Sequence, residues 1–287
     1  MKKISVIIVT YNSLNDIVNC IHSVYRQNDL LDDDIEIIIV DNSKIEIFIE
    51  MKKLISDSFS NVLLIHNPSN GGYGQGNNVG IRVSKSEIVC IANPDIIMEK
   101  PMFSRIIELF KINKKLAVVG GKQFGGINLS FWVRPEYEFF LFTTPIMILL
   151  NKLNIYLEKF CFLSGALLFI DKSKFEEIGL FDENIFLYRE ESDIIKRFID
   201  HNFKTHFENK LIYKHLIDDR QKVSVKSFEE EMKSTKLYYK KFNFIFEKFI
   251  FQRLFSYYIL KYLFLISGKK NSYQQTIETI ERLKKIK

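Results

Sequence analysis

Short runs of apolar residues alternate with segments of helical periodicity along the first half of the chain. The runs Ile4–Val9, Ile35–Val40, Val62–Ile65 and Ile88–Ala92 are rich in β-branched residues and lack polar alternation, which is typical of strands buried on both faces. From Leu14 to Val24, apolar residues recur every three or four positions, as in an amphipathic helix. This pattern predicts an α/β fold in which helices cover both faces of a mostly parallel central sheet.

Polar clusters follow three of these predicted strands, namely Thr10-Tyr11-Asn12, Asp41-Asn42-Ser43 and Asn93-Pro94-Asp95. Each cluster alone is more typical of a turn than of a site. Ligands of open α/β sheets, however, bind beyond the carboxyl ends of the strands, so three clusters at one edge favour a binding site. Asp41 is a candidate acceptor for a base or ribose, and Asp95 is a candidate ligand of a divalent cation that holds a diphosphate.

A glycine-rich stretch follows the third predicted strand. Five of the 12 glycines of the chain fall within residues 71–80. Glycine permits close approach of the backbone to a phosphate or sugar, and a helix start after Gly76 would favour an anion. The stretch matches neither G-x-G-x-x-G nor the P-loop pattern, which argues against a dinucleotide site. A ligand loop and a flexible loop both remain open.

Three carboxylates, Glu190, Glu191 and Asp193, fall within four residues. Acidic residues are favoured in the first turn of a helix, and the following segment has helical spacing. Carboxylates crowded together also raise one another's pKa, as in acid–base catalysis. The residues alone favour the first explanation, whereas the polar clusters elsewhere favour the second.

Composition narrows the classes of partner. The chain has 287 residues, 47% of them hydrophobic, and a net charge of +6 concentrated late among aromatic residues. Such a segment suits an anionic membrane surface better than a nucleic acid, so no nucleic-acid partner is expected. Cys20, Cys90 and Cys161 lack C-x-x-C spacing and are expected to be small core residues of a reduced, cytoplasmic protein.

Together these motifs resemble the family 2 glycosyltransferases of the GT-A fold, in particular the rhamnosyltransferase-like branch of bacterial surface-polysaccharide synthesis. The matching pieces occur in the family's order between residues 4 and 216. They are Val6-Ile-Ile-Val-Thr-Tyr-Asn12, Val40-Asp-Asn-Ser43, Asn70-Gly-Gly-Tyr-Gly-Gln-Gly-Asn-Asn-Val-Gly80, Asn93-Pro-Asp95, Leu163-Ser-Gly-Ala166, Gly179-Leu-Phe-Asp-Glu183 and Phe186-Leu-Tyr-Arg-Glu-Glu-Ser-Asp193. The resemblance implies a GT-A domain over residues 1–220, with a helical extension over residues 221–287.

The resemblance also implies roles for individual residues. Asp95 would bind Mg²⁺ or Mn²⁺ on the donor diphosphate, with His215 as a further metal ligand. Glu190 and Glu191 match the acidic pair, usually Glu-Asp, whose second member is the general base. The positions implied for binding the donor nucleotide and sugar are Thr10, Tyr11, Asn12, Asp41, Asn70, Gly72, Gly74, Asn78, Asn93, Ser164 and Gly165.

Two departures from the family pattern matter. Asn93 replaces the first carboxylate of the usual Asp-x-Asp motif, so metal affinity of the protein alone is expected to be weak. Glu191 replaces the usual Asp, and one methylene moves the carboxylate by about 1.5 Å, which leaves Glu191 or Glu190 as the base. A catalytically impaired sugar-nucleotide-binding or assembly-scaffold protein is therefore an alternative to the enzyme.

The implied activity is inverting, metal-dependent transfer of a hexosyl or deoxyhexosyl group from a dTDP- or UDP-sugar to a saccharide acceptor carried on a lipid. Phe139–Leu150 is then either a buried helix or a lip that meets this acceptor. Phe242–Ile266 is either an amphipathic helix on the inner face of the plasma membrane, or a packed helix pair or homodimer contact. Residues 269–287 are expected to form a polar helical tail.

Overall fold

The computed structural model describes residues 2–125, 129–216 and 225–286. The predicted domain boundary, after residue 220, lies outside these ranges. The strands are β1 (Ile4–Thr10), β2 (Ile35–Asp41), β3 (Val62–His66), β4 (Ile88–Ala92), β5 (Ile96–Met98), β6 (Leu116–Phe124), β7 (Phe131–Val133), β8 (Cys161–Leu163), β9 (Leu167–Asp171) and β10 (Lys204–His215). The α-helices are α1 (Ile17–Arg26), α2 (Ile45–Ser58), α3 (Tyr73–Val83), α4 (Phe103–Ile112), α5 (Phe140–Leu153), α6 (Lys172–Glu177), α7 (Glu190–Asp200), α8 (Val225–Lys241), α9 (Phe246–Ile266) and α10 (Lys270–Lys284).

An eight-stranded sheet forms the centre of the molecule, in the order β3-β2-β1-β4-β9-β6-β10-β5. The first four strands in this order are parallel, as are β6 and β10, which confirms the mostly parallel sheet. β9 runs antiparallel between β4 and β6, and β5 is antiparallel to β10 at the edge. β7 and β8 form a separate two-stranded sheet.

The central sheet is buried on both faces because its strands carry apolar residues at successive positions. Ile8 of β1 packs into the core that contains Ile17 of α1. Its neighbour Ile7 points to the opposite core, which contains Ile194 of α7. Helices therefore cover both faces, as predicted. The three cysteines are buried and unbonded, which confirms them as core residues.

The glycine-rich stretch differs from both predicted kinds of loop, because α3 begins at Tyr73 and so includes most of its glycines. The glycines let α3 lie close to β1. A Cβ on Gly76 would lie 2.8 Å from Val9 Cγ1, and one on Gly80 would lie 2.5 Å from Ile7 Cγ2. Both distances are too short for two carbon atoms, so close helix–strand packing explains these two glycines.

The C-terminal helices pack on one another and on the rest of the chain. Aromatic and apolar side chains of α8, α9 and α10 form a third core around Tyr238, Phe249 and Leu283. α9 also contacts α5, which is largely exposed, with only Met147 buried. The interpretation of residues 139–150 as a buried helix is therefore wrong, because the outer side of α5 has no covering element among the described residues. α10 forms the predicted polar helical tail.

Candidate functional site

Thr10 and Asp41 lie side by side where β1 and β2 end, because the parallel register pairs them. Thr10 Oγ1 donates a hydrogen bond of 2.9 Å to Asp41 Oδ1, and Ser43 Oγ donates one of 2.7 Å to the same oxygen. Asp41 Oδ2 is buried and has no hydrogen-bond partner in the described part of the chain. A buried acceptor without a donor is costly, so this oxygen suits a donor group brought by a ligand.

Tyr11 and Asn12 extend the same edge beyond β1. Asn12 has a left-handed backbone, with φ of 54°, and its N–H donates a hydrogen bond of 2.8 Å to Ser43 Oγ. This bond ties the turn to the residues around Asp41. The side chain of Tyr11 is 54% exposed, so the edge presents an aromatic ring to solvent.

Asp95 and His215 meet at the same side of the sheet despite their distance in sequence. β5 pairs with β10 so that His215 lies opposite Ile96, the residue after Asp95. His215 Nε2 lies 3.3 Å from Asp95 Oδ1 and 3.5 Å from Asn93 Nδ2. His215 Nδ1 is buried without a hydrogen-bond partner among the residues that the structure describes.

This pair of donors fits a divalent cation that arrives with a diphosphate. Adjacent ligands of Mg²⁺ lie about 3 Å apart, close to the separation of the carboxylate and the imidazole, and an imidazole is acceptable to Mn²⁺. Within residues 2–125, 129–216 and 225–286, no three His, Cys, Asp or Glu side chains cluster to hold a metal. The weak intrinsic metal affinity expected from Asn93 stays a prediction.

The segment from Asn70 to Gly74 packs against the loop that precedes α7. Asn70 and Gly72 have φ of 41° and 94°. A Cβ on Gly72 would lie 2.0 Å from Phe186 O, and one on Gly74 would lie 3.0 Å from Phe181 Cβ. These glycines therefore permit close approach to another part of the protein, and their role at a donor sugar stays a prediction.

Asn78 holds the same loop. Its buried Nδ2 donates hydrogen bonds of 2.9 Å to Phe181 O and Glu183 Oε1, and its Oδ1 accepts one of 3.1 Å from Phe181 N. The structure therefore places Asn78 as a support of residues 181–183, whereas the resemblance implied a position beside the donor. A direct contact with the donor stays a prediction.

Ser164 and Gly165 lie next to the acidic pair. The Gly165 backbone lies against the Glu191 carboxylate, because a Cβ on Gly165 would lie only 2.0 Å from Glu191 Oε1. Only glycine fits there without displacing the carboxylate. Ser164 Oγ donates a hydrogen bond of 3.4 Å to Gln123 Oε1.

Glu190 and Glu191 begin α7 but differ in accessibility. Glu190 is 3% exposed, whereas Glu191 is partly exposed. Burial and the neighbouring Glu191 charge raise the pKa of Glu190 well above its usual range. Burial also raises the pKa of Glu191, although its own N–H, the Arg189 guanidinium and the Gly165 N–H oppose the rise. Glu191 is thus the more accessible of two carboxyls with raised pKa.

Asp193, the third carboxylate, has a structural role. It accepts hydrogen bonds from the Arg197 guanidinium, at 2.6 Å from Nη2, and forms an ion pair of 2.7 Å with Lys241 of α8. The side chain is buried, so these cations compensate its charge. All three carboxylates lie in the first turn of α7, and the ion pairs with Arg197 and Lys241 distinguish Asp193 from the acidic pair.

Residues 165 and 166 connect the acidic pair to the Asn93-Pro94-Asp95 turn. Gly165 lies against the Glu191 carboxylate, and Ala166 O accepts a hydrogen bond of 3.0 Å from Asn93 N. Two successive residues thus join the candidate base to the candidate metal site.

Two residues of this site were not singled out from the sequence. Tyr73 OH donates a hydrogen bond of 2.9 Å to Gly165 O, and Arg189 directly precedes the acidic pair. Both residues lie within motifs that carry the family resemblance, and that position was the signal for each of them.

Comparison with known proteins agrees with this geometry. The fold and the polar edge define a class, the GT-A glycosyltransferases. The model of the family described as "Glycosyl transferase family 2" matches residues 5–179, and the chain belongs to this family. It is 29% identical over 202 residues to the low-salt glycan biosynthesis hexosyltransferase Agl10 of Haloferax volcanii, covering 68% of this chain and 61% of that protein. It is 27% identical over 117 residues to the glycosyltransferase GlyG of Streptococcus pneumoniae, covering 41% of this chain and 38% of that protein.

Solved structures share the fold at low identity. The mannosyltransferase PcManGT of Pyrobaculum calidifontis, in complex with GDP-Man and Mn²⁺, has a TM-score of 0.58 and 15% identity, covering 76% of this chain and 58% of that one. TarS of S. aureus, residues 1–349 in complex with UDP, has a TM-score of 0.56 and 18% identity, covering 81% and 64%. These likenesses confirm the GT-A fold. The chain spans less than two thirds of the length of each of these relatives.

Proposed function

We propose that the protein is an inverting glycosyltransferase that uses a nucleoside-diphosphate sugar and a divalent cation, Mg²⁺ or Mn²⁺. The observation that carries this proposal is that Gly165 lies directly against the Glu191 carboxylate, while its neighbour Ala166 is hydrogen-bonded to Asn93 in the Asn93-Pro94-Asp95 turn. A base and a diphosphate site on one rigid support are what a single displacement at a sugar carbon requires.

The donor half is built from the strand ends. Asp41 Oδ2 would accept a hydrogen bond from the base or ribose, and Asp95 with His215 would hold the cation. When bound, the cation neutralises charge on the diphosphate leaving group. The PcManGT structure is a complex with GDP-Man and the TarS structure is a complex with UDP, which supports a nucleotide-sugar donor here.

The acceptor half depends on Glu191. Glu191 is partly exposed and is therefore accessible to a bound acceptor hydroxyl, whereas Glu190 is buried. A raised pKa brings a carboxylate nearer to the operating pH and makes it a stronger base. Attack of the deprotonated hydroxyl opposite the leaving group inverts the configuration at the anomeric carbon.

A continuous apolar surface, which we call the α5–α9 face, lies on two packed helices. On each helix the exposed residues recur at intervals of three or four, so they form one stripe per helix. Ring contacts join the stripes, because Phe139 lies 4.9 Å from Phe142 and 5.9 Å from Phe255. The stripe residues are Phe142, Ile146, Leu149 and Leu153 on α5, and Phe251, Phe255, Tyr258, Tyr262 and Leu265 on α9.

We propose that this face lies on the inner surface of the plasma membrane and meets a lipid-linked acceptor. Among the described residues, α9 alone is long and apolar enough to cross a bilayer. Arg253 within α9 argues against crossing, because it is largely buried and ion-paired with Glu138 at 2.8 Å. α5 and α9 together carry one acidic residue, Glu247, so the face also suits anionic headgroups.

Substitution of Glu191 tests the enzymatic function. Transfer from UDP-, dTDP- and GDP-sugars with Mn²⁺ is measured alongside binding of the free diphosphates. We expect Glu191→Gln to lose transfer by roughly 10²–10⁴-fold with diphosphate binding retained, because only the base is removed. Diphosphate binding without transfer in the wild type would instead favour the impaired, binding-only alternative.

Flotation with anionic vesicles tests the α5–α9 face. We expect the Phe251→Glu/Phe255→Glu double variant to leave the vesicles while transfer to a soluble saccharide stays unchanged. Ile112→Glu is a matched control, because Ile112 is an exposed apolar residue at the end of α4. Vesicle-independent dimers that the double variant dissociates would show a dimer contact instead.

A further inference from the structure

The turn before the acidic pair has an unusual backbone. Tyr188 and Arg189 both have left-handed φ, of 70° and 76°. Residues with a Cβ rarely adopt this conformation, and two in succession persist only where the surroundings hold them. The Arg189 carbonyl then accepts a hydrogen bond of 2.9 Å from Asp193 N in the first turn of α7. The backbone at Arg189 therefore sets the direction in which α7 and its two glutamates begin.

Helix α8 supplies the side chains that hold this turn, although it lies about 40 residues further along the chain. Four hydrogen bonds link the turn to one side of the helix. They join Ser234 Oγ to Leu187 O at 2.7 Å, Tyr188 OH to Ser227 Oγ at 3.1 Å, Arg189 Nε to Thr235 Oγ1 at 2.9 Å, and Arg189 Nη2 to Glu231 Oε1 at 2.8 Å.

Glu231 is the charged member of this set. Its Oε1 also accepts a hydrogen bond of 3.2 Å from Arg253 Nη2, so one carboxylate lies between two guanidinium groups. Burial raises the pKa of Glu231, but the positive charges of Arg253 and Arg189 lower it by more. The pKa of Glu231 therefore lies below its usual range. The Glu231 carboxylate is therefore charged at neutral pH. It compensates the positive charge of Arg189, so that the ion-pair partner of Arg189 is a residue of α8 and not one of the glutamates beside it.

We infer that Glu231 is a positioning residue for sugar transfer, which aims Glu191 by fixing Arg189 and the left-handed turn before the acidic pair. The inference rests on the proposed function for the role of Glu191 as base. Holding the turn does not depend on that role. The helices after residue 224 are then required for catalysis even with an acceptor that needs no membrane.

Glu231→Gln tests this inference, because it removes the charge and keeps the size of the side chain. Glu229→Gln is the matched control, since Glu229 is exposed on the same helix. Three quantities are measured well below the melting temperature. They are kcat with a soluble acceptor, the Kd of UDP, dTDP and GDP with Mn²⁺, and hydrogen exchange of residues 186–195.

We expect Glu231→Gln to lower kcat by roughly tenfold to a hundredfold, as displacement of a catalytic group by about 1 Å does. Diphosphate Kd is expected to stay unchanged, while residues 186–195 exchange severalfold faster. Glu229→Gln is expected to match the wild type in all three. Unchanged kcat and exchange in Glu231→Gln would overturn the inference, and so would a parallel loss of kcat and diphosphate binding, which indicates general destabilisation.

A second variant keeps the test decisive if Glu231→Gln folds poorly. Thr235→Val removes the hydroxyl that accepts from Arg189 Nε and preserves the side-chain shape. We expect the same pattern with a smaller loss of kcat, and wild-type behaviour would contradict the inference. If the wild type transfers no sugar from any donor, the proposed function fails, whereas the exchange measurement still decides whether Glu231 holds the turn.

Discussion

The donor edge and the acidic turn of this protein are built in different ways. At the donor edge, Thr10 and Asp41 are neighbours because two parallel strands end in register. The acidic turn has no such register, and its left-handed residues Tyr188 and Arg189 are held by side chains of α8. The comparison shows that one half of a site can be preorganised by the sheet while the other depends on distant helices.

Among the variants that follow, the largest effect is expected for a substitution at the donor edge. Asp95→Ala removes the one carboxylate of the metal pair, and we expect transfer to fall about a thousandfold, since metal stabilisation of a leaving group is worth several kcal/mol. Calorimetry with Mn²⁺ and with EDTA is expected to show that metal no longer strengthens diphosphate binding. Asp57→Ala, at an exposed position of α2, is the control. Metal-dependent binding that survives in Asp95→Ala would remove Asp95 from the site.

Gly165→Ala displaces the Glu191 carboxylate without changing the charge of any residue. Its Cβ would lie 2.0 Å from Glu191 Oε1, so the carboxylate must move. We expect kcat to fall roughly tenfold to a hundredfold with diphosphate affinity retained. Gly80→Ala provides the contrast, because its Cβ would meet Ile7 Cγ2 at 2.5 Å and is expected to lower the melting temperature more than kcat. Equal kcat in Gly165→Ala and the wild type would argue against Glu191 as the base.

Arg189→Met tests the role of Glu191 through the pH dependence of kcat. Below its pKa, Glu191 is protonated and cannot accept the acceptor proton, so kcat falls on the acidic side. Arg189 lowers the pKa of Glu190 and Glu191, whereas Tyr73 and Tyr213 lie near Glu191 as neutral groups at that pH. Loss of the guanidinium therefore raises the pKa, and the acidic limb of the kcat profile is expected at higher pH. A limb that moves to lower pH would contradict this assignment.

The smallest effect is expected for Glu190→Gln, and it is a change in the stability of the fold. A carboxyl whose folded pKa is raised stabilises the fold below the usual glutamate pKa, and this contribution is lost as pH rises through the raised value. Removing the charge is therefore expected to raise the melting temperature by roughly 2–4 °C at pH 8. No gain is expected at pH 4, and an equal gain at both pH values would show that ionisation is not the cause.

The parts predicted correctly from sequence were those with local causes. Unbroken β-branched runs are typical of strands buried on both faces, so the strands ending at Thr10, Asp41 and Ala92 followed from composition and period. In the glycine-rich stretch the helix was expected to start after Gly76, whereas α3 begins at Tyr73. The need for Gly76 and Gly80 arises from the close packing of α3 on β1, which the local sequence does not show. The burial of α5 could not be predicted for a similar reason, because an apolar run does not show which other segment, if any, packs against it.

The sequence by itself determined the α/β class, the polar edge at the strand ends and the family, because strand period and turn chemistry act over a few residues. The family resemblance also implied that His215 lies near Asp95. Only the tertiary structure decided that Gly165 lies against Glu191 and that α8 holds Arg189. Each of these contacts joins segments far apart in the chain. Their proximity follows from strand order and helix packing, which no local pattern of residues encodes.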